Sequence, residues 1–357
     1  MEINTEKYKK VERLADFITA SSDPKMKWMW GEALLGYALS ELDRENGEDK
    51  YTPFLSAYCD HWAKVDPAVD QSDTAAPGLI TYAMYKKTGN PEYGRLTDKV
   101  LDYIRFEPRL YLDCLNHLGC SKKGKIYPKS VWIDSVMMFS VFTSLYAREN
   151  GDRELLDFAA RQPKQYASMM FNEAEHLWAH SYWVKAKKPF PESNIFWGRG
   201  NGWVIAGFPM ILDNIGLDHP EAEGIIDLFR KTSEALLSHM NPDHTFNTLL
   251  KDKSYRELSA TALISAGWLH GIRCGYLDGR FLTPAVKAFE ACVAAMEEDG
   301  EGIYMTEISG PTIPLPLLPK LGYTLIPRGK NLSYGVAALI FAALEYKRCL
   351  HRDQAEK

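Results

Sequence analysis

The chain has 357 residues, of which 46% are hydrophobic and 25% charged, and a formal net charge of −5. This is the make-up of a protein that folds around a large apolar core in water. It excludes nucleic acid as a partner, because no block of Lys and Arg is present to neutralise phosphates, and no apolar stretch is long enough to span a membrane.

In chain order, apolar spacing predicts helices over about 4–19, 29–45, 51–65, 75–88, 92–106, 133–149, 152–170, 202–214, 221–239, 257–275, 281–297 and 333–350. The 257–275 segment shows the pattern well. Leu258, Ala262, Leu263, Ala266 and Leu269 share one side, and Gly275 is placed to end it. Turn-rich links such as 45–48, 88–91 and 150–152 separate successive helices, and strand-like alternation is scarce. Helices on short links predict an all-α fold of six antiparallel hairpins closing into an (α/α)6 barrel. A linear helical solenoid is the alternative, but no fixed-period repeat supports it. Nothing reads as an interdomain linker, so residues 1–357 are expected to form one domain. Two longer loops stand out: 171–201, rich in aromatics, and 299–331, where five prolines from Pro311 to Pro327 oppose helix. Loops of this length in a compact domain are often functional, which makes both candidate walls of a cleft.

The cysteines (Cys59, Cys114, Cys120, Cys274, Cys292, Cys349) include no C-x-x-C pair and read as free thiols, which favours a reducing compartment. The opening MEINTEKYKK lacks an apolar signal core. A cytoplasmic location is expected, or a periplasmic one where a signal peptide has been removed.

The segment Trp197–Trp203 (WGRGNGW) sets two indoles around Arg199, Asn201 and three glycines. Glycine permits sharp turns and close approach to a ligand, arginine presents a donor fork suited to a carboxylate, and indole faces stack on sugar rings. The segment reads as a loop for an acidic sugar, or as a tight turn between two core tryptophans. Asp134, in VWIDSVMM beside Trp132 and Met137, is either a helix-terminal acid or a desolvated carboxyl with a raised pKa suited to a general acid. Asp73, in QSDTAAPG, is either a second cleft acid or an N-cap, and Glu257 opens a helix where acids are commonplace. His180 has aromatic company, and is either a packing residue or a site residue. With no HExxH and no third ligand near His176 and His180, no metal and no cofactor are expected.

Taken together, W-x-W (Trp28, Trp30), SDTAAPG (72–78), YPKSVWIDSVMM (127–138), WAHSYW (178–183), FWGRGNGW (196–203) and RELSATA (256–262) resemble the unsaturated rhamnogalacturonyl hydrolases, glycoside hydrolase family 105. The unsaturated glucuronyl hydrolases of family 88 are similar as near neighbours. The resemblance implies an (α/α)6 barrel, with Asp134 as the catalytic aspartate and Asp73 as a second acid. It implies that Trp30, His180, Trp197, Arg199 and Trp203 line a sugar site, with Trp132, Asn201 and Glu257 beside them. The chain departs from the family where a His-Lys pair is usual, reading Ser121-Lys122-Lys123-Gly124-Lys125, and in its proline-rich 311–327 loop. The implied reaction removes a 4,5-unsaturated uronic acid from the non-reducing end of a lyase-generated di- or oligosaccharide by hydrating its C4=C5 enol ether. A monomer or weak homodimer is expected. The alternatives are a conventional glycosidase pairing Asp134 with Asp73 or Glu257, a sugar epimerase or isomerase on the same barrel, and a non-catalytic carbohydrate-binding protein.

Overall fold

The computed structural model describes residues 5–192 and 194–355, and side chains as far as Cys349. Among the described residues, the α-helices of ten residues or more are α1 (Thr5–Ser21), α2 (Trp30–Asn46), α3 (Thr52–Val65), α4 (Gly78–Thr88), α5 (Pro91–Phe106), α6 (Val141–Asn150), α7 (Arg153–Met170), α8 (Gly198–Ile215), α9 (Ala222–Ser238), α10 (Leu258–Arg273), α11 (Leu282–Ala294) and α12 (Ser333–Ala355). Each predicted helix has a counterpart here. The predicted start at residue 4 lies outside the described residues.

The even-numbered helices pack side by side in the order α2, α4, α6, α8, α10, α12, and α12 returns to α2, closing a ring. The odd-numbered helices lie outside it, each against its hairpin partner. This is the (α/α)6 toroid, and burial follows the layering. The outer helix α5 is amphipathic, with Tyr93, Leu96, Val100, Leu101 and Ile104 on the buried side. In the inner helix α10, every residue from Leu258 to Gly271 is buried, which corrects the one-sided reading of that segment. The ring closes tightly because small residues sit at the helix contacts. A Cβ on Gly267 of α10 would come within 2.0 Å of the Ile205 carbonyl oxygen on α8, so only glycine fits.

Three features differ from the sequence expectation. The predicted 75–88 helix is split into a short turn (Ser72–Ala75) and α4. The predicted 133–149 helix begins with a π-helical turn, Val136–Ser140, one residue beyond Asp134; such turns concentrate at functional sites. The WGRGNGW segment is not a loop: α8 starts at Gly198. Its glycines let that first turn press against neighbours, since a Cβ on Gly198 would meet the Asn247 carbonyl oxygen at 2.4 Å. Short strands β1 (Ser130–Trp132), β2 (Ser181–Trp183) and β3 (Lys188–Phe190) form an antiparallel sheet in that order, with Trp132 opposite Ser181. No helix among the described residues is long and apolar enough to cross a membrane.

Candidate active site

The inner helices run parallel, so their N-termini gather at one mouth of the ring. A cavity of about 470 Å³ opens there, within the size range of small-molecule sites. Inner helices or the turns leading into them bring Trp30, Asp73, Asp134, Trp197, Arg199 and Tyr334 to its wall. Converging helix N-termini place positive dipole ends at this mouth, a field that favours an anionic ligand.

At the cavity floor two aspartate–histidine pairs share one plan. His180 presents Nε2 to Asp134 Oδ2 at 3.2 Å, and His117 presents Nε2 to Asp73 Oδ1 at 3.4 Å. Each imidazole meets a hydroxyl through Nδ1: Tyr323 at 2.8 Å for His180, Ser135 at 3.0 Å for His117. Each also stacks on an indole, His180 on Trp197 (4.3 Å between centroids) and His117 on Trp132 (4.5 Å). The strand pairing explains the proximity, because Ile133 donates its backbone N–H to the His180 carbonyl.

Asp134 is not the raised-pKa carboxyl expected from its apolar neighbours. Burial does push its pKa up, but the imidazoles of His180 and His117 outweigh burial and hold it below the usual carboxylate value. It caps no helix through its side chain; its backbone carbonyl accepts from the Met137 and Met138 N–H groups. Asp73 is not an N-cap either, since Gln71 caps that turn and leaves Asp73 free to line the cavity. The cavity carboxyl that burial does raise is Glu32, in the first turn of α2, opposed by Lys27.

Arg199 has no solvent exposure and its fork is committed. One terminal nitrogen donates to Glu257 Oε1 (3.1 Å) and the Ser309 carbonyl (3.0 Å), the other to the Gly310 carbonyl (3.0 Å) and Thr312 Oγ1 (3.2 Å). Among the described residues, only Nε lacks a partner. Both terminal nitrogens are therefore committed to Glu257 and the 309–312 segment, which leaves no two-pronged fork for a substrate carboxylate. Glu257 is fully buried, accepts from the Ala260 N–H as the N-cap of α10, and does not line the cavity. Asn201 is also fully buried, tying the Trp178 and Trp197 backbones together. Trp203 packs edge-on beneath Trp30. Glu257, Asn201 and Trp203 thus support the site from below. Trp30, Trp132 and Trp197 reach its wall, and Trp30 also packs on Tyr334 at 4.4 Å.

Sequence reading missed His117, Tyr323, Tyr334 and Glu32. A lone histidine in LNHLG and a tyrosine in a proline-rich loop carry no local signal, because their partners are distant in sequence. Of the lysines, Lys27 and Lys123 line the cavity, and neither has an ion-pair partner among the described residues. At the opposite mouth, Asp213, His270 and Cys274 lie close enough to hold a metal ion. Their charges are already balanced within the protein: His270 bridges Asp213 (2.8 Å) and Glu345 (3.8 Å), and Glu345 is in turn held by Arg273 and Arg348.

A closed ring of helical hairpins, with carboxylates and tryptophans facing a sugar-sized cleft at one mouth, defines a carbohydrate-active helical toroid. The chain matches the Glycosyl Hydrolase Family 88 profile over residues 3–350, belongs to that family, and is a glycoside hydrolase. It is 24% identical over 276 residues to the unsaturated rhamnogalacturonyl hydrolase YesR of Bacillus subtilis (strain 168), covering 76% of this chain and 77% of that one. It is 25% identical to an unsaturated 3S-rhamnoglycuronyl hydrolase of Formosa agariphila, with 76% and 74% covered. Its fold is similar to that of a family 105 glycoside hydrolase from C. acetobutylicum (TM-score 0.86, 20% identity, 94% of this chain and 99% of the other). It is also similar in fold to an unsaturated glucuronyl hydrolase from Bacillus sp. GL1 (TM-score 0.75, 16% identity, 94% and 96% covered).

Proposed function

We propose that the protein removes a 4,5-unsaturated uronic acid from the non-reducing end of an oligosaccharide, with Asp134 as both proton donor and acceptor. The observation that carries this reading is the placement of Asp134: one carboxyl, backed by His180 on Oδ2, facing a sugar-sized cavity at the helix N-termini. The names of the relatives, unsaturated rhamnogalacturonyl and rhamnoglycuronyl hydrolases, support the substrate class.

Asp134 gives its proton to C4, and the alkene electrons form the new C–H bond. The cation left at C5 is stabilised by the ring oxygen. Water adds at C5 and returns a proton to Asp134, so the carboxyl is restored. The resulting C5 hemiketal opens to a ketone, leaving a hemiacetal at C1 that expels the partner sugar.

The low resting pKa of Asp134 fits this scheme if substrate binding supplies the shift. A bound uronate adds a like charge and displaces water, and both effects raise a carboxyl pKa. Proton uptake then accompanies binding. Lys123 and Lys27 receive the uronate carboxylate, since the Arg199 fork is occupied. Trp30 and Trp132 pack against the ring, and Asp73, steadied by His117, accepts from sugar hydroxyls.

The test is turnover of a lyase-generated disaccharide in heavy water, followed by loss of the ultraviolet absorbance of the double bond. One deuteron at C4 of the product is expected. A product without it, or cleavage of saturated glycosides in preference, overturns the proposal.

A further inference from the structure

The chemistry proposed for Asp134 requires its mobile proton to sit on the oxygen that faces substrate. Oδ2 is buried 3.2 Å from His180 Nε2, a charge contact short of hydrogen-bond geometry, and neither atom has a hydrogen-bond partner among the described residues. Oδ1 is therefore the oxygen available to the cavity. A proton on Oδ2 would be trapped beneath the carboxyl, pointing at the imidazole. Which oxygen carries it depends on which ring nitrogen of His180 carries hydrogen.

From this geometry we infer that Tyr323 is a positioning residue: its hydroxyl donates to His180 Nδ1, fixes the Nε2–H tautomer, and so confines the Asp134 proton to the cleft-facing oxygen. The inference rests on the reading of Asp134 as the proton donor. Tyr323 is fully buried in the four-residue helix Leu321–Thr324, within the proline-rich loop where the chain departs from its family resemblance. Its hydroxyl lies 2.8 Å from Nδ1 and has no other hydrogen-bond partner among the described residues, so its hydrogen has one acceptor in reach. Burial pushes the phenol pKa well up, which keeps that hydrogen in place. Once Nδ1 accepts, Nε2 must carry the hydrogen of a neutral ring, and Oδ2 is the carboxylate oxygen beside it, at 3.2 Å. Oδ2 then acts as an acceptor whether Asp134 is protonated or not.

The ring itself is held by packing, with Trp197 stacked at 4.3 Å and Trp132 edge-on at 5.0 Å, so it cannot swing to another partner. The loop is anchored separately, through Tyr255, which donates to the Tyr323 carbonyl and to Ser309 Oγ. Tautomer control therefore resides in one hydroxyl. The other charged or titratable groups facing the pair are His117 and Arg199; Tyr127 and Asp134 are those facing Tyr323.

The test compares Tyr323→Phe with wild type by nitrogen NMR of histidine-labelled protein and by steady-state kinetics. Tyr255→Phe, which loosens the loop without touching Nδ1, is the control. In wild type the His180 ring should show hydrogen on Nε2 alone. In Tyr323→Phe the signal should move towards the Nδ1–H form, kcat should fall about 10- to 100-fold with KM within twofold, and the pH profile of kcat should shift. Tyr255→Phe should leave the His180 signals in place. Unchanged His180 signals in a folded Tyr323→Phe protein, or the same shift in Tyr255→Phe, overturn the inference. A shifted tautomer with unchanged kcat instead overturns the assignment of Asp134 as donor, which separates the two failures.

Discussion

Arg199 and Glu257 meet at 3.1 Å with no solvent exposure on either side chain. Through this pair α8 and α10 are joined at their N-termini, and the remaining Arg199 donors hold the 309–312 segment against the cavity. The guanidinium is also flanked by the rings of Trp197 (4.7 Å) and Tyr334 (4.9 Å). What resembles a substrate clamp in the sequence is a buried keystone in the fold.

Removing one partner of such a pair strands a charge in the interior. Glu257→Gln is expected to destabilise the protein by about 3–5 kcal/mol in denaturant unfolding. A loss below about 1 kcal/mol, together with a large rise in KM, would place Glu257 in contact with substrate instead.

Asp134→Asn keeps the shape of the side chain but cannot move a proton. Its kcat should fall about 1,000-fold or more, with a native circular dichroism spectrum. Glu32→Gln, which removes the other perturbed carboxyl in the cavity, should retain most of the wild-type kcat. Reversed results would transfer the acid role to Glu32.

The pH dependence of turnover follows from the direction of the Asp134 shift. In the free protein its pKa lies below the ordinary value, and the proposed mechanism has bound uronate raise it. A reaction that needs the protonated acid declines as pH rises through that pKa. The falling limb of kcat/KM, which reports the free enzyme, should therefore lie at lower pH than the falling limb of kcat. Coincident limbs would rule out proton uptake on binding.

Lys123 and Lys27 bring positive charge to the cavity, and neither makes an ion pair among the described residues, although Lys27 acts on Glu32. Lys123→Ala should raise KM about 10- to 100-fold, the range of one hydrogen bond to a charged group, with a smaller effect on kcat. The weakened binding should also depend less on salt than in wild type. No change in KM for either lysine variant would return the carboxylate to the remaining Nε–H of Arg199.

At the far mouth, His270 links stability to pH. Burial acts to depress its pKa, but Glu345 and Asp213 raise it from 6.5 to about 10. A group with a raised folded pKa stabilises fully below its unfolded value and loses that contribution as pH rises through the folded one. The stability gap between wild type and His270→Gln should be widest below pH 6.5 and close towards pH 10. Glu345, lowered to about 2, acts in the opposite sense, with its contribution present above 4.5 and lost as pH falls towards 2. A gap that stays constant from pH 6 to 10 would show that His270 does not carry the charge.

The helices of this protein are written in its sequence. Apolar spacing and turn residues are local properties, so the helix count, the hairpin pairing and the barrel could be read from residues a few positions apart. The residue types at the site were legible too, in VWID, SDTAAPG and FWGRGNGW. Roles were not. Asp134 needed its distance to His180, Arg199 its burial beside Glu257, and Tyr323 a contact spanning 143 residues of chain. Whether a carboxyl is held low or raised, and whether a guanidinium is free or committed, depends on charges and donors within a few ångströms. Only closure of the ring brings those neighbours together.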